Sequence, residues 1–397
     1  MPNTVKLDAQ RQSQYKRKVE ERFSQELLIT DPCSMITVLE KELSNKISKS
    51  EADAVIAKLR KHLEGASLNL KKIMSLRYGE NPGQPAAFYS EEGAMGPLMA
   101  TMEVLREGAK GLSYINIGDM DLGQRLVKKL HDAFPGKHVC AVMKHEMPSS
   151  VAIGEEPVQT FEKAWKCDEL SNFGSVDVFN YEVTEELAKL LCEGRRNIEV
   201  VYAPSFAAKA LDILSARKAL RVVKMADINK PAVYEDTEYK RVAGGLLVQN
   251  KYDTRVISRD CVEIISKRKL GNDEIDAAIF TWIVAGFTRS NAVIIGQKDK
   301  THGIGSGQRS RIDSANNAIV ASQRGYGPKD CVLASDAYMP FADVVELAAR
   351  NNIKAIIYPL GSNKDEEVLA KADELGIAMI VTRKPGTSDS ERCFLHR

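Results

Sequence analysis

Residues 288–313 read TRSNAVIIGQKDKTHGIGSGQRSRID. The apolar, β-branched run at 292–295 and the polar turn at 298–301 predict a β-hairpin. Three glycines at alternate positions within 303–307 follow, and the pattern becomes helical from about Asp313. Glycine lets a backbone approach a ligand closely, so a Gly-rich turn before a helix is a candidate anion site. A surface hairpin with a flexible tip is the alternative.

Outward from this hairpin, apolar strands alternate with amphipathic helices, which predicts an α/β layered fold in two halves. The strands are predicted at 138–143, 176–179, 200–203, 220–223, 244–249, 332–334, 355–358 and 377–382. Helices are predicted at 122–130, 158–166, 207–214, 343–350 and 365–375, with an apolar helix ending at Ala285. A polar turn is predicted at 111–121.

The domain limits expected from this pattern are 1–72 for a helical N-terminal extension, 73–250 for a first α/β domain and 251–397 for a helical connector with a second one. The extension contains predicted helices at about Gln10–Phe23 and at Glu51–Glu64. It carries no constellation of chemical groups, so docking onto the body of the protein or a dimer partner is the favoured interpretation.

Composition narrows the class of protein. With 44% apolar and 28% charged residues, the 397-residue chain is typical of a globular protein with a large core. A net charge of +2 gives no reason to expect nucleic acid or a membrane surface as partner. The Met1 end lacks a signal-peptide pattern, and no apolar run is long enough to span a bilayer, which predicts a cytoplasmic protein. Seven scattered cysteines without a CxxC pair favour a reducing compartment over disulfides or a zinc site.

The strand at His138–Met143 leads directly into Lys144 and His145. Ligands in α/β sheets are usually met at the carboxyl ends of strands, so both side chains are candidate site residues. A lysine there would stabilise negative charge and a histidine would transfer a proton. An ordinary surface pair is the alternative. Asn291 enters the hairpin with an amide that both donates and accepts hydrogen bonds.

Further candidates lie beside predicted turns. Arg77 and Tyr78 open an Asn-Pro loop with a charge and an aromatic hydroxyl. Arg311 follows the Gly-rich turn, where a guanidinium suits an anion. Asp343 begins a predicted helix; it is either a cap or a carboxylate that grips the amino and ring N–H groups of a ligand.

Seven ordered motifs resemble one family. They are Arg77-Tyr78-Gly79-x-Asn81-Pro82-x-Gln84, Lys144-His145-x-x-Pro148, Ser171-x-Phe173-Gly174, Gly244-Gly245-Leu246-Leu247-Val248-Gln249, Ser290-Asn291-Ala292, Gly303-x-Gly305-x-Gly307-Gln308-x-Ser310-Arg311 and Ser335-Asp336-Ala337-x-x-Pro340-Phe341-x-Asp343. Over about residues 73–397 the chain resembles the transformylase domain of the bifunctional purine-biosynthesis enzyme that joins AICAR transformylase to IMP cyclohydrolase. Residues 1–70 are too short and too helical to match the cyclohydrolase domain, so the resemblance implies a stand-alone transformylase.

The resemblance implies a pair of cytidine-deaminase-like α/β domains and a homodimer with active sites at the subunit interface. The implied reaction transfers the formyl group of 10-formyltetrahydrofolate, a co-substrate, to the 5-amino group of AICAR. Lys144, His145 and Asn291 match the catalytic positions. The residues that match the AICAR site are Arg77, Tyr78, Arg311, Arg392 and Phe394, and those that match the folate site are Asp343, Tyr338 and Phe341. The resemblance also places a monovalent cation, potassium, near Asp336 and Ser290.

Two other functions were weighed. A zinc-dependent deaminase would share the implied fold, but it needs H-x-E followed by P-C-x-x-C, and neither pattern is in the sequence. No zinc is therefore expected. A non-catalytic nucleotide-binding or regulatory protein would keep its arginines and lose the Lys-His-Asn trio. All three of those residues are present.

Overall fold

The computed structural model describes residues 26–30, 67–91, 99–194, 196–226, 228, 237–250, 258–382 and 394–397. The helices predicted at Gln10–Phe23 and Glu51–Glu64 lie outside the described residues, and so does Arg392. The chain divides into two compact units, residues 1–100 with 111–114, and residues 101–110 with 115–397.

The first unit contains an antiparallel sheet in the order β1-β2-β3. Its strands are β1 (Glu26–Thr30), β2 (Ser67–Leu76) and β3 (Ala86–Glu91). The extension predicted to be helical over 1–72 therefore contains strand at β1 and at the start of β2, outside the two helices predicted within it. Leucine and methionine alternate with polar residues along much of β2, SLNLKKIMSL, and this period of two favours a strand.

The described part of the second unit is built around one mixed sheet of twelve strands, in the order β12-β17-β16-β15-β13-β14-β6-β5-β7-β8-β9-β4. The strands are β4 (Glu103–Arg106), β5 (His138–Met143), β6 (Pro148–Gly154), β7 (Ser175–Phe179), β8 (Ile198–Ala203), β9 (Arg221–Lys224), β12 (Val262–Ile264), β13 (Val293–Gln297), β14 (Lys300–Gly305), β15 (Val332–Ser335), β16 (Ala355–Tyr358) and β17 (Ala378–Thr382). A separate two-stranded ribbon pairs β10 (Thr237–Val242) with β11 (Gly245–Asn250).

Eight α-helices occur in the described residues. They are α1 (Tyr114–Ala133), α2 (Pro157–Cys167), α3 (Glu185–Cys192), α4 (Ala208–Ser215), α5 (Asn272–Ala285), α6 (Arg311–Ser322), α7 (Asp343–Arg350) and α8 (Asp365–Leu375), with short 3-10 turns at Met99–Thr101 and Arg259–Cys261. None of these helices has the length and apolar character needed to cross a membrane. The predicted α/β class is confirmed.

The large sheet repeats one topology twice. In each half an antiparallel hairpin (β5–β6 or β13–β14) lies next to three parallel strands (β7–β9 or β15–β17) and an antiparallel edge strand (β4 or β12). The halves join where β14 pairs antiparallel with β6, Lys300 opposite Ala152. The two predicted α/β halves therefore exist as a repeat within one continuous sheet, while the predicted domain limits stay a prediction.

Each half has its own core. One cluster includes Phe161, Phe179 and Leu187, and the other includes Leu333, Ile356 and Met379. Nine consecutive residues of α5, 277–285, are buried, as the all-round apolar sequence predicts.

One local prediction is wrong, and the glycines of the opening stretch have a packing role that was not predicted. The turn expected at 111–121 is helical from Tyr114, because the polar Asn116 and Asp119 are buried helix residues rather than turn residues. The glycines of the opening stretch also serve packing. A Cβ on Gly303 would lie 2.0 Å from the Ala318 carbonyl oxygen, and one on Gly305 would lie 1.9 Å from that of Ser314. The missing side chains of these two glycines therefore admit helix α6 against β14.

Candidate functional site

Lys144 and His145 lie where a two-residue loop, His145–Glu146, joins the hairpin strands β5 and β6. The Lys144 amide donates to the Met147 carbonyl at 2.8 Å, and the Met147 amide donates back to Lys144 at 3.2 Å. The central residues, His145 and Glu146, both have a φ of 56°. Such loops favour Asn-Gly, because left-handed backbone costs other residues about 1–2 kcal/mol each. A His-Glu pair here departs from local preference, and such departures cluster at functional sites.

The loop of His145 and Glu146 connects two antiparallel strands of the sheet. Strand β5 runs antiparallel to both of its neighbours, β6 and β7. Lys144 and His145 therefore stand at a hairpin tip, on the sheet edge where the parallel strands β15–β17 of the other half end. The prediction of a strand at His138–Met143 that leads directly into Lys144 is confirmed, while the roles of Lys144 and His145 stay a prediction.

The Lys144 ammonium is fixed by the loop that follows α2. It donates to the Ser171 carbonyl oxygen at 3.1 Å and to the Phe173 carbonyl oxygen at 2.7 Å. These bonds use two of the three ammonium hydrogens. The positive charge of Lys144 is therefore held in a fixed position, and one N–H of the ammonium remains to donate a hydrogen bond.

A cavity of about 350 Å³ lies beside this loop and takes residues from both halves of the sheet. Its walls are formed by Lys144, His145, Met147, Pro148, Ser149, Cys167, Asp168, Ser171, Thr301, His302, Gly303, Ile304, Ser306 and Ala321. Lys144 and His145 thus face a space of the size that small ligands occupy. Asn291 is not part of its wall.

Asn291 belongs to a second cluster, centred on Arg311 at the start of α6. The guanidinium donates to the Asn291 side-chain oxygen at 2.8 Å and to the Ser335 hydroxyl at 2.9 Å, and it pairs with the buried Asp336 carboxylate. The Asn291 amide nitrogen donates to the Gln308 carbonyl oxygen at 2.9 Å. Arg311 therefore orients Asn291 and pairs with Asp336, while its Nε–H has no hydrogen-bond partner among the described residues.

The carboxyl-terminal residues complete this second cluster. The Phe394 ring meets Tyr338 edge-on with centroids 5.7 Å apart, and Leu395 donates its amide to the Asp336 carbonyl at 2.9 Å. His396 Nδ1 lies 2.8 Å from the Ser290 hydroxyl. The structure therefore brings together residues that the sequence assigned to AICAR, folate and a cation.

Asp343 and Phe341 lie further along the same loop. Asp343 is the first residue of α7, and its carboxylate accepts the Val344 amide hydrogen at 2.8 Å. Phe341 is 57% exposed, with the Lys364 ammonium 5.3 Å from the ring centroid. An exposed aromatic ring beside a carboxylate suits a flat, polar-edged ligand.

Three residues that sequence reasoning missed connect the two clusters. The Glu146 carboxylate accepts from Arg289 at 3.2 Å, and the Glu146 carbonyl accepts from Arg397 at 2.7 Å. Arg289 immediately precedes Ser290 and Asn291, so the loop that carries His145 is tied to the segment that carries Asn291. Glu146 occupies a loop position that favours glycine, which would mark it as unusual. This signal cannot be read from the sequence, because it depends on the loop conformation.

Arg77 and Tyr78 belong to the first compact unit. There the Arg77 guanidinium carbon lies 4.8 Å from the Tyr78 ring centroid, and the Arg77 amide donates to the Leu112 carbonyl at 2.8 Å. The structure thus shows a local cation–π pair at the start of the predicted loop.

The residues around Asp336 give little support to a potassium ion. Asp336 Oδ2 is buried without a hydrogen-bond partner in the described residues, which is the kind of atom a cation would bind. The same carboxylate is already neutralised by Arg311, however, and His396 Nδ1 lies 3.7 Å from it. The described residues therefore do not fit a cation here, and no chemical step needs one. Elsewhere in the described part of the chain, no group of three or more His, Cys, Asp or Glu is placed to hold a metal.

An α/β sheet with a Lys-His pair at a cavity between two repeats has the features of a small-molecule enzyme site. The family model described as AICARFT/IMPCHase bienzyme matches residues 35–321. The chain belongs to this family and is an enzyme domain of purine biosynthesis. The match begins well before residue 73, where the resemblance was expected to begin, so part of the predicted extension belongs to the family region.

Proposed function

We propose that this chain is an AICAR formyltransferase, which moves the formyl group of 10-formyltetrahydrofolate to the 5-amino group of AICAR and yields FAICAR and tetrahydrofolate. The observation that carries the proposal is the loop of Lys144 and His145. The backbone of His145 is left-handed and its imidazole lies at a cavity. The neighbouring Lys144 ammonium is fixed there by hydrogen bonds to two carbonyl oxygens. Membership of the family supports the same reaction.

The chemistry of the two groups suits formyl transfer. An aromatic amine is a weak nucleophile, so its attack on the formyl carbon benefits from a base that takes its proton; His145 has this role. Negative charge develops on the formyl oxygen as the bond forms. The located Lys144 ammonium stabilises that charge and supplies a proton toward folate N10 as the C–N10 bond breaks.

The remaining residues bind and orient the substrates. Asn291, held by Arg311 and Gln308, orients the reacting groups. We assign Arg77, Tyr78, Arg311, Arg392 and Phe394 to AICAR, and Asp343, Tyr338 and Phe341 to the folate. Tyr338 and Phe341 are 40% and 57% exposed, which leaves their rings open for stacking. Bringing two substrates together supplies much of the rate enhancement in such a reaction.

We also propose a homodimer. The β10–β11 ribbon exposes consecutive apolar residues, with Leu246, Leu247 and Val248 between 45% and 59% exposed. An isolated two-stranded ribbon is marginally stable in water, so a second copy of the chain is a suitable cover. Leu247→Asp should lower the mass of the particle measured by light scattering from two chains to one. A dimer that survives Leu247→Asp and Val248→Asp together would contradict the use of this ribbon.

The decisive experiment separates the reactions that the family covers. Purified protein receives either AICAR with 10-formyltetrahydrofolate or FAICAR alone, while tetrahydrofolate and IMP are measured. The proposal predicts tetrahydrofolate and FAICAR in equal amounts from the first mixture and no IMP from the second. IMP formation without formyl transfer would contradict it. A non-catalytic nucleotide-binding protein, the second candidate, would bind AICAR in calorimetry and turn over neither substrate.

A further inference from the structure

The His145–Glu146 loop rests on the buried helix α1. The Glu146 amide donates to Asp119 Oδ1 at 2.6 Å, and Asp119 is 3% exposed. The next residue toward the N-terminus, Gly118, leaves room for the Glu146 side chain, since a Cβ there would lie 2.4 Å from Glu146 Oε1. A glycine followed by an aspartate on α1 therefore forms a seat shaped for this loop.

We propose that Asp119 is a positioning residue for formyl transfer, which holds the His145–Glu146 loop in its left-handed conformation only while its carboxylate is ionised. The inference rests on the proposed function of His145. Asp119 acts through the Glu146 amide and is not placed at the reacting atoms.

The geometry explains why the loop needs such an anchor. Two consecutive left-handed residues that are not glycine are unfavourable, so surrounding contacts must compensate. Arg289 and Arg397 hold the Glu146 carboxylate and carbonyl from one side. The Asp119 carboxylate is the anchor for the Glu146 amide, and a hydrogen bond to an ionised acceptor is roughly twice as strong as one to a neutral acceptor.

Ionisation of Asp119 is sensitive to the pH range of ordinary enzyme assays. The pKa of Asp119 is raised to about 7, mainly by burial; hydrogen bonds from the Glu146 and His145 amides lower it, and the nearby carboxylates of Glu146 and Glu199 add to the rise. Glu199 is itself held by the Asn116 amide at 3.1 Å and lies 3.6 Å from Arg221. As the pH falls through about 7, Asp119 takes up a proton, the bond to Glu146 weakens and the loop relaxes.

The first test is kinetic. Asp119→Asn keeps an oxygen acceptor of the same shape but removes the charge, and Asp132→Asn is the matched control on the exposed end of the same helix. We expect kcat of Asp119→Asn to fall about tenfold at pH 8, with KM for both substrates within about twofold. The acid limb of its pH profile should also be shallower by one proton than that of the wild type and of Asp132→Asn. An unchanged acid limb would overturn the inference, because a merely structural role of Asp119 predicts that result.

The second test does not depend on the reaction. In wild-type protein labelled with ¹⁵N-glutamate, the Glu146 amide signal is assigned by its loss in Glu146→Gln and followed by NMR from pH 5.5 to 8.5. A titration with a midpoint near pH 7 in the wild type, absent in Asp119→Asn, supports the anchor even if formyl transfer is not the activity. A Glu146 amide that does not titrate in the wild type overturns the anchor even if formyl transfer is confirmed.

Discussion

The two β-hairpins of the large sheet occupy equivalent positions and differ in what their loops hold. Both are closed by two residues, His145–Glu146 between β5 and β6, and Lys298–Asp299 between β13 and β14. Both residues of the first pair have positive φ and His145 lines the cavity, whereas neither Lys298 nor Asp299 has positive φ. The second pair makes surface ion pairs, Lys298 with Asp273 and Asp299 with Lys163, each at 2.7 Å. The two halves therefore share a fold, but only the first hairpin loop has the features of a candidate site.

Counting outward from the loops pairs the two halves residue by residue. At the end with the candidate site lie Asn291 and Asp336, whose counterparts are His138 and Asn180, and Arg311 corresponds to Pro157 as the first residue of the following helix. The counterpart of an arginine that orients Asn291 is thus a proline that begins α2. One sheet topology carries two different sets of groups, which teaches that the topology by itself does not locate the site.

The largest expected difference in kcat is between variants of Lys144, beside the first loop, and of Lys298, in the second loop. Lys144→Met removes an ammonium held at the cavity by Ser171 and Phe173, so kcat for formyl transfer should fall about 10²–10³-fold. Lys298→Met, at the equivalent end, removes only a surface ion pair and should leave kcat within about twofold. Steady-state rates of tetrahydrofolate formation check both. Equal losses of kcat in the two variants would contradict the difference described between the two hairpin loops.

The next effect concerns stability and compares two glycines, one in each half, that face the helix following their strand. An added Cβ on Gly305 would meet the Ser314 backbone oxygen at 1.9 Å, but on Gly154 it would meet the Thr160 hydroxyl at 2.5 Å. Backbone of a packed helix yields less than a side chain, so Gly305→Ala should lower the free energy of unfolding by about 3 kcal/mol and Gly154→Ala by about 1 kcal/mol. Urea denaturation followed by circular dichroism measures both. Equal costs would show that α6 and α2 pack against their strands with the same tolerance.

A smaller effect compares Asp177 in β7 with its counterpart Leu333 in β15. Burial raises the pKa of Asp177 to about 7, so the folded state holds a proton that the unfolded state, with a usual pKa of 3.8, releases. The stabilising contribution is complete below the unfolded pKa and is lost as the pH rises through about 7. Between these values the free energy of unfolding should fall by about 1.4 kcal/mol per pH unit on account of this group.

Asp177→Asn should remove that slope and make the protein more stable than the wild type at pH 8, because the amide keeps the shape without the buried charge. Asp212→Asn, on the exposed surface of α4, is the control and should leave the slope unchanged. Chemical denaturation between pH 4.5 and 8 provides the comparison. A wild-type slope that persists in Asp177→Asn would assign the proton to another group.

Much of the fold could be predicted because its signals are local. The limits of α7, β16 and α8 match the predicted ones, since each has clear periodicity and α8 ends at Gly376 in a left-handed conformation. The start of α1 was missed because its buried polar residues look like a turn. The pairing of β14 with β6, which makes one sheet from two halves, has no local signal at all.

The candidate site shows the same division. Lys144, His145 and Asn291 could be named from motifs, since residue type and order suffice for that. The roles of Asp119 and Glu146 could not, because they depend on a loop conformation and on a contact between residues far apart in sequence. The glycines at 303 and 305 were predicted to let the backbone approach a ligand, and in the structure they let helix α6 pack closely against β14. The sequence alone does not show which group lies close to a glycine.

The most direct test is the rate of FAICAR formation by His145→Ala in a single turnover, with both substrates saturating. If the imidazole takes the proton of the attacking amine, the rate should fall about 10²–10⁴-fold below that of the wild type, while AICAR remains bound. A His145→Ala protein that forms FAICAR at the wild-type rate would contradict the account.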